Sequence, residues 1–183
     1  MSSKLIEAKN LKKSFGEFIA VDNIDLSVLR GEVVGFLGPN GAGKSTTMKM
    51  LTGFLEPDSG DILINNIDLK SNPLKAKEFI GYLPEGAPSY SDMNVLEFLS
   101  FVGKMRGLNK KILTTRLDEM AIQISLKDVW NKPIETLSKG FKRRVGIAQA
   151  LIHDPDILIL DEPTDGLDPN PKHEMRNLIK NIS

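Results

Sequence analysis

The sequence predicts an α/β fold in which an antiparallel β subdomain is combined with an α-helical insertion. Three observations lead to this class. Residues 5–11 and 18–29 have the composition and alternation of strands. A glycine-rich loop lies between a short apolar run, 33–37, and a helical stretch that begins near Ser45. From 95 to about 125 the apolar residues recur at helical spacing, which places a helical segment inside an otherwise alternating strand-and-helix pattern.

Composition limits what kind of protein this is. The chain has 183 residues, of which 40% are hydrophobic, enough for one domain with a packed core. Lysine and arginine number 24 and aspartate and glutamate number 24, so the net charge is zero. This balance argues against nucleic acid as a partner, because such binding normally needs a basic excess. The absence of cysteine excludes disulfides and thiolate metal sites, and a cytoplasmic location is expected.

The first half of the chain reads as strands around one helix. Ile24, Leu26 and Val28 recur at every other position, which places them on one face of a sheet. The apolar run 33–37 is predicted to be a strand that is buried on both faces. A turn signal over 57–60 precedes the alternating Ile62 and Ile64, which indicates an antiparallel strand.

The second half alternates between short strands and longer helices. A strand is predicted over 80–83, and two helices over 95–125 are separated by 107–109. Ser138 is expected to cap a helix that runs to about His153. A buried strand over 157–160 and a helix from about Asn170 complete the pattern.

A phosphate-binding loop is predicted by the pattern G-x-x-x-x-G-K-[ST]. The glycines allow backbone N–H groups to turn inward around a phosphate, and the following helix contributes its positive end. Lys44 is expected to reach the β and γ phosphates, and the Ser45 hydroxyl to bind Mg²⁺. The alternative is a glycine-rich turn that matches by chance, which the flanking strand and helix disfavour. The loop comprises Gly38, Pro39, Asn40, Gly41, Ala42, Gly43, Lys44, Ser45 and Thr46.

Two adjacent carboxylates follow the predicted strand 157–160. At the end of a buried strand, Asp161 is placed to hold Mg²⁺, and Glu162 to orient or deprotonate an attacking water. An acidic turn after a strand is a common alternative. The phosphate-binding loop upstream favours the catalytic interpretation, in which Glu162 and Lys44 are the catalytic residues of an ATPase.

A third motif, Leu137-Ser138-Lys139-Gly140-Phe141, resembles the signature motif of the ATP-binding-cassette (ABC) family, usually L-S-G-G-Q. Other family marks surround it in order. Phe15 resembles the aromatic residue that stacks on adenine, and Glu85 stands where the family usually has its Q-loop glutamine. The segment 164–168, which includes Asp168, resembles the D-loop. The residues of these motifs are most similar to those of ATP-binding subunits of the exporter (ABC-2 type) branch. The resemblance therefore implies a P-loop NTPase core of ABC type.

The resemblance also implies cofactors, partners and location. It implies ATP and Mg²⁺ as cofactors, with Ser45 and Asp161 as the metal ligands. It implies a head-to-tail dimer with a second ATP-binding subunit, homo- or heterodimeric, in which Ser138 and Gly140 meet the partner's ATP. It implies contact with transmembrane permease subunits through Glu85 and the 95–125 helices, which would place the protein on the inner face of the cell membrane.

The sequence also departs from the family pattern. Lys139 and Phe141 replace a glycine and a glutamine of the signature motif, and Glu85 replaces the Q-loop glutamine. The whole chain, 1–183, is expected to be one nucleotide-binding domain that is truncated after the D-loop helix, with a helical subdomain at about 88–135. No histidine occupies the family's switch position. With the truncation, reduced stability and slow or absent turnover are expected, with ATP binding retained.

Two other functions stay open on the sequence. One is a soluble ABC ATPase that acts outside transport, although such members usually carry coiled coils, zinc modules or a second cassette. The other is an ATP-binding remnant with little hydrolysis. The leading prediction is the ATP-hydrolysing subunit that powers a membrane exporter.

Overall fold

A computed structural model of the protein describes residues 4–86, 90 and 92–182. The chain divides into two compact units, Met1–Ile80 and Gly81–Ser183, which are described in turn. Within the described ranges, no helix has both the length and the apolar character needed to cross a bilayer.

The first unit is built on a four-stranded antiparallel sheet. Strands β1 (Lys4–Phe15) and β2 (Phe18–Leu29) form a hairpin in which Phe15 pairs with Phe18. Strand β3 (Ser59–Ile64) pairs antiparallel with β1, and the short β4 (Ile67–Asp68) completes the order β2-β1-β3-β4. The antiparallel β subdomain predicted from the sequence is therefore present.

Two helices accompany this sheet. Helix α1 (Lys44–Leu51) packs against β1 and β2 and buries Met50 and Leu51. Helix α2 (Pro73–Glu78) begins with proline at its first position, where the missing N–H costs no hydrogen bond. Helix α2 and strand β4 had no clear signal in the sequence because both are short and lack a long apolar repeat.

The strand predicted over 33–37 is wrong. Residues 32–39 have no assigned secondary structure, and the side chains of Val33 and Leu37 are 74% and 96% exposed. A strand exists only when a neighbouring strand accepts its hydrogen bonds. Within the first unit the sheet order is β2-β1-β3-β4, and residues 33–37 pair with none of these strands.

The second unit has a short two-stranded sheet and four helices. Strand β5 (Ile80–Leu83) pairs with β6 (Ile157–Leu160). Helices α3 (Val95–Met105) and α4 (Lys110–Gln123) form the helical insertion, followed by 3-10 turns at Lys127–Val129 and Ile134–Thr136. Helix α5 (Lys139–Leu151) and helix α6 (Pro169–Ile182) complete the unit.

The helix boundaries follow from side-chain caps. Asn94 accepts a hydrogen bond from the Glu97 N–H at 2.8 Å, while the Glu97 carboxylate accepts from the Asn94 N–H at 3.1 Å, which is a complete capping box for α3. Asn109 accepts from the Ile112 N–H at 3.0 Å and starts α4, so the predicted break at 107–109 is confirmed. Residues 88, 89 and 91, at the start of the predicted helical subdomain 88–135, lie outside the described residues.

One hydrophobic core joins the helices and the sheet of the second unit. It contains the fully buried Phe98 and Leu99 of α3, Met120 of α4 and Ile147 of α5. Leu83 of β5 belongs to the same core. Helix α5, whose first turn carries the signature-like motif, is therefore held by the insertion and by the sheet.

Candidate functional site

The phosphate-binding loop of the first unit leads into α1 through Gly43. This residue has φ +81°, in the left-handed region, and it precedes the helix with no side-chain cap. A Cβ at this position would lie 2.3 Å from the carbonyl oxygen of Ala20, so only glycine fits against β2. No side chain therefore caps the N-terminus of α1, and the positive end of the helix dipole is available to an anion.

Lys44 lies over the loop that precedes it. Its Nζ donates hydrogen bonds to the carbonyl oxygens of Gly38 at 2.9 Å and Pro39 at 2.8 Å. The loop itself is closed by the Ala42 N–H, which donates to the same Pro39 oxygen at 3.3 Å. The ammonium group is therefore held against two carbonyls of the loop, and a bound phosphate could replace them as its partner.

Phe15 stands at the end of β1, at the tip of the hairpin. Its side chain is 53% exposed, and the Lys13 ammonium lies 5.9 Å from its ring centroid. Lys13 is itself held by Asp58, with an Nζ–Oδ1 distance of 2.7 Å. An exposed aromatic ring on a strand end is available for stacking on a nucleotide base.

The two carboxylates after β6 have different environments. Asp161 is 2% exposed, and its N–H donates to the Leu83 carbonyl at 2.9 Å, so strand pairing continues one residue beyond β6. Glu162 is partly exposed and has φ +48°, a left-handed conformation that costs a residue other than glycine about 1–3 kcal/mol. Its carbonyl accepts from the Asp165 N–H at 3.1 Å, which stabilises this turn.

The signature-like motif caps helix α5. The Ser138 Oγ accepts a hydrogen bond from the Phe141 N–H at 3.4 Å, as the sequence predicts for a cap. A Cβ at Gly140 would make only ordinary van der Waals contacts, at 3.9 Å from the Pro171 Cβ and the Ser138 Oγ. Phe141, which replaces the family's glutamine, packs against the hydrophobic core, and the Arg144 guanidinium lies 5.6 Å from its ring centroid. The departure therefore has a packing role.

Glu85 and Asp168 are both exposed. Glu85 lies in the turn that follows β5. Asp168 immediately precedes α6, and its carbonyl accepts from the Lys172 N–H at 2.9 Å. Between Asp161 and Asp168, the buried Leu167 anchors the loop to the core.

The predicted site residues thus divide between the two units. Phe15 and the loop 38–46 belong to the first unit, and Glu85, Ser138, Gly140, Asp161, Glu162 and Asp168 belong to the second. Two further residues, Tyr82 and Arg116, stand out in the structure and were not found from the sequence. Tyr82 lies on β5 next to the end of β6, and Arg116 hydrogen-bonds the end of α5. Arg116 belongs to no motif. Tyr82 lies in the stretch Tyr82-Leu83-Pro84-Glu85, which resembles the family's Q-loop region, but the sequence alone assigns the residue no role of its own. Their three-dimensional neighbours identify both residues.

Comparison with known proteins identifies the family of the chain. A family model described as "ABC transporter" matches residues 21–165. A probable multidrug ABC transporter ATP-binding protein of Escherichia coli, YbhF, is 42% identical over 170 residues, which cover 93% of this chain and 29% of that protein. The linearmycin resistance ATP-binding protein LnrL of Bacillus subtilis is 38% identical, over 98% of this chain and 58% of that protein. The chain therefore spans between about a third and three fifths of the length of these relatives.

Solved structures share the fold. The cbiO1 protein of Clostridium perfringens, described as part of the ABC transporter complex cbiONQ, superimposes with a TM-score of 0.86 at 32% identity. The match covers 98% of this chain and 74% of that one. The predicted fold class is confirmed by this likeness.

Proposed function

This chain belongs to the ABC transporter family, and we propose on that premise that it binds and hydrolyses ATP as the energy-coupling subunit of a membrane exporter. The observation that carries the proposal is the phosphate-binding loop, in which Lys44 is held over the carbonyls of Gly38 and Pro39 at the bare N-terminus of α1. This arrangement supplies a cation, inward backbone donors and a helix dipole for the phosphates of a nucleotide. Phe15, exposed on the hairpin tip, is proposed to stack on the adenine.

The residues present fit a magnesium ion. Mg²⁺ prefers hard oxygen ligands, and Asp161 offers a carboxylate that is 2% exposed at the end of a strand pair. Ser45 offers a hydroxyl in the first turn of α1. We propose that Ser45 and Asp161 hold the ion, which when bound neutralises charge on the β and γ phosphates.

Glu162 is proposed to orient the attacking water or to accept its proton. Its partial exposure leaves the carboxylate able to reach a water molecule, whereas Asp161 is buried. The backbone at Glu162 is left-handed, and backbone strain of this kind is concentrated at functional sites. This supports different roles for the two adjacent carboxylates, with Asp161 binding the metal ion and Glu162 acting on the water.

Ser138 and Gly140 are proposed to contact ATP held by a second ATP-binding subunit in a head-to-tail dimer. Ser138 is exposed at the N-terminus of α5, and Gly140 has no side chain that would keep a phosphate from the backbone N–H groups of the first turn. Asp168, exposed before α6, is proposed to lie at the same subunit boundary. ATP would then favour the closed dimer and hydrolysis the open one.

The helical insertion is proposed to carry the contact with the permease. On α3, Phe101 and Met105 are one helical turn apart and are 36% and 73% exposed, while Phe98 and Leu99 of the same helix are buried. Exposed apolar residues on a well-packed helix are typical of a surface that meets a partner. We propose that Glu85 and this face of α3 couple ATP hydrolysis to the permease. We also propose that residues 1–183 form one nucleotide-binding domain, with a helical subdomain at about 88–135. Contact with a permease would place the protein on the inner face of the membrane.

The proposal of an exporter is supported by the names of relatives. YbhF is described as a probable multidrug transporter component, and LnrL as a linearmycin resistance protein. We propose by this likeness that the cargo is a drug or an antibiotic. We propose that the permease determines which molecule is moved.

Hydrolysis by the purified chain tests the proposal. We expect Lys44→Ala to abolish turnover, because it removes the cation that neutralises the phosphates, while the fold is kept. Lys49→Ala, in the last turn of the same helix, is the matched control and should keep wild-type turnover. A wild type that neither binds a fluorescent ATP analogue nor hydrolyses ATP above the Lys44→Ala background would overturn the proposed function.

A further inference from the structure

Tyr82 lies on the strand that pairs with the segment carrying Asp161, the carboxylate that we assign to magnesium. Tyr82 lies on β5, and the N–H of Asp161 bonds to the carbonyl of the next residue, Leu83, at 2.9 Å. Leu83 and Leu160 both pack in the hydrophobic core. Because side chains alternate along a strand, Tyr82 and Asp161 lie together on the opposite face of this strand pair.

The Tyr82 hydroxyl is buried and has no hydrogen-bond partner within residues 4–86, 90 and 92–182. A buried polar group without a partner costs about 1–3 kcal/mol, so natural proteins keep one only where something else compensates. A phenol is protonated at neutral pH, so its hydroxyl can donate a hydrogen bond to a nearby negative oxygen.

We propose that Tyr82 is a positioning residue whose hydroxyl donates a hydrogen bond to the Asp161 carboxylate, or to a water bound to it, when magnesium occupies the site. This inference rests on the proposed function. The bond would hold the carboxylate in the orientation that the ion needs. Groups that orient metal ligands in this way typically change metal affinity or activity about 10–100-fold when they are removed.

The experiment measures magnesium affinity through nucleotide binding. Fluorescence anisotropy of a non-hydrolysable MANT-labelled ATP analogue is recorded with the full chain while Mg²⁺ is titrated from an EDTA-buffered start. We expect Tyr82→Phe to raise the Mg²⁺ concentration at half-response about 10-fold, with unchanged nucleotide affinity in EDTA. The chain's other tyrosine supplies the control, because Tyr90 is 59% exposed and Tyr90→Phe should match the wild type.

A double-mutant cycle separates this role from a general structural one. If Tyr82 acts through Asp161, adding Tyr82→Phe to Asp161→Asn should produce no further change in the magnesium response. Shifts that multiply in the double variant would overturn the connection. Without magnesium, the melting temperature of Tyr82→Phe should equal or exceed that of the wild type, because the variant lacks the unpartnered hydroxyl. A clear loss would show that the hydroxyl has a structural partner instead.

The outcomes distinguish the inference from the proposed function. A wild type that binds nucleotide with a clear magnesium response, together with a Tyr82→Phe midpoint within about two-fold of it, overturns the role of Tyr82 alone. A wild type that binds no nucleotide under any condition overturns the proposed function, and the inference with it.

Discussion

Arg116 of α4 stabilises the end of the helix that carries the signature-like motif. Its Nε donates to the Ile152 carbonyl at 3.2 Å and its Nη2 to the Leu151 carbonyl at 2.6 Å, where α5 ends. The last carbonyls of a helix have no partner within the helix, so an outside donor is needed when they are buried. The Arg116 side chain is only 15% exposed. Replacing it with alanine leaves both carbonyls without this donor.

The size of the effect follows from these contacts. A hydrogen bond to a charged group contributes about 1.5–3 kcal/mol. Arg116 makes two such bonds to α5, while its ion pairs with the more exposed Glu119 and Asp154 contribute little. Because water can reach part of the vacated space, we expect Arg116→Ala to lower the free energy of unfolding by about 3 kcal/mol. Arg116→Lys, which can reach one carbonyl, should lose about half of that.

Urea unfolding followed by tryptophan fluorescence measures this loss. Trp130 is the chain's single tryptophan, and it packs against the core of the second unit, so it reports on the unit that contains Arg116. We expect a lower midpoint with an unchanged slope. Arg176→Ala is the control, since Arg176 is exposed on α6, and it should stay within about 0.5 kcal/mol of the wild type. An Arg116→Ala variant as stable as this control would refute the reasoning.

Two further predictions concern packing and pH. Gly81→Ala would place a Cβ 2.2 Å from the Ala150 carbonyl oxygen, so we expect it to lower the free energy of unfolding by about 3 kcal/mol, measured with urea. Gly140→Ala is the control, because its Cβ would lie 3.9 Å from its neighbours, and it should keep full stability. Equal urea midpoints for the two variants would contradict this packing argument. Burial raises the pKa of Tyr82 to about 12 in the folded chain, from an ordinary value of 10.0. As pH rises, the unfolded chain therefore loses this proton before the folded chain does. The stability contributed by the neutral phenol is full below pH 10 and is lost as pH rises toward 12. The wild type should therefore lose more stability between pH 9 and pH 11 than Tyr82→Phe does, and parallel losses in the two proteins would show that the phenol is not perturbed.

Much of the candidate site could be read from adjacent residues. The glycines around Lys44, the Ser138 cap of α5 and the carboxylates after β6 are local signals, because each depends on backbone conformation or on groups a few positions away. The same reason explains the correct break between α3 and α4, where Asn109 caps the second helix within its own first turn. The sequence alone thus determined the family and the start of helix α4, and it predicted the phosphate-binding loop.

Only the tertiary structure decided the features that depend on distant neighbours. Residues 33–37 have the composition of a buried strand, yet strand formation needs a partner that the run does not contain, and Leu37 is exposed. Arg116 meets α5 across 35 and 36 positions of sequence. The pairing of two short strands brings Asp161 to Leu83, the residue after Tyr82. No local pattern encodes such contacts, because they arise from the pairing of strands and the packing of helices after the chain has folded.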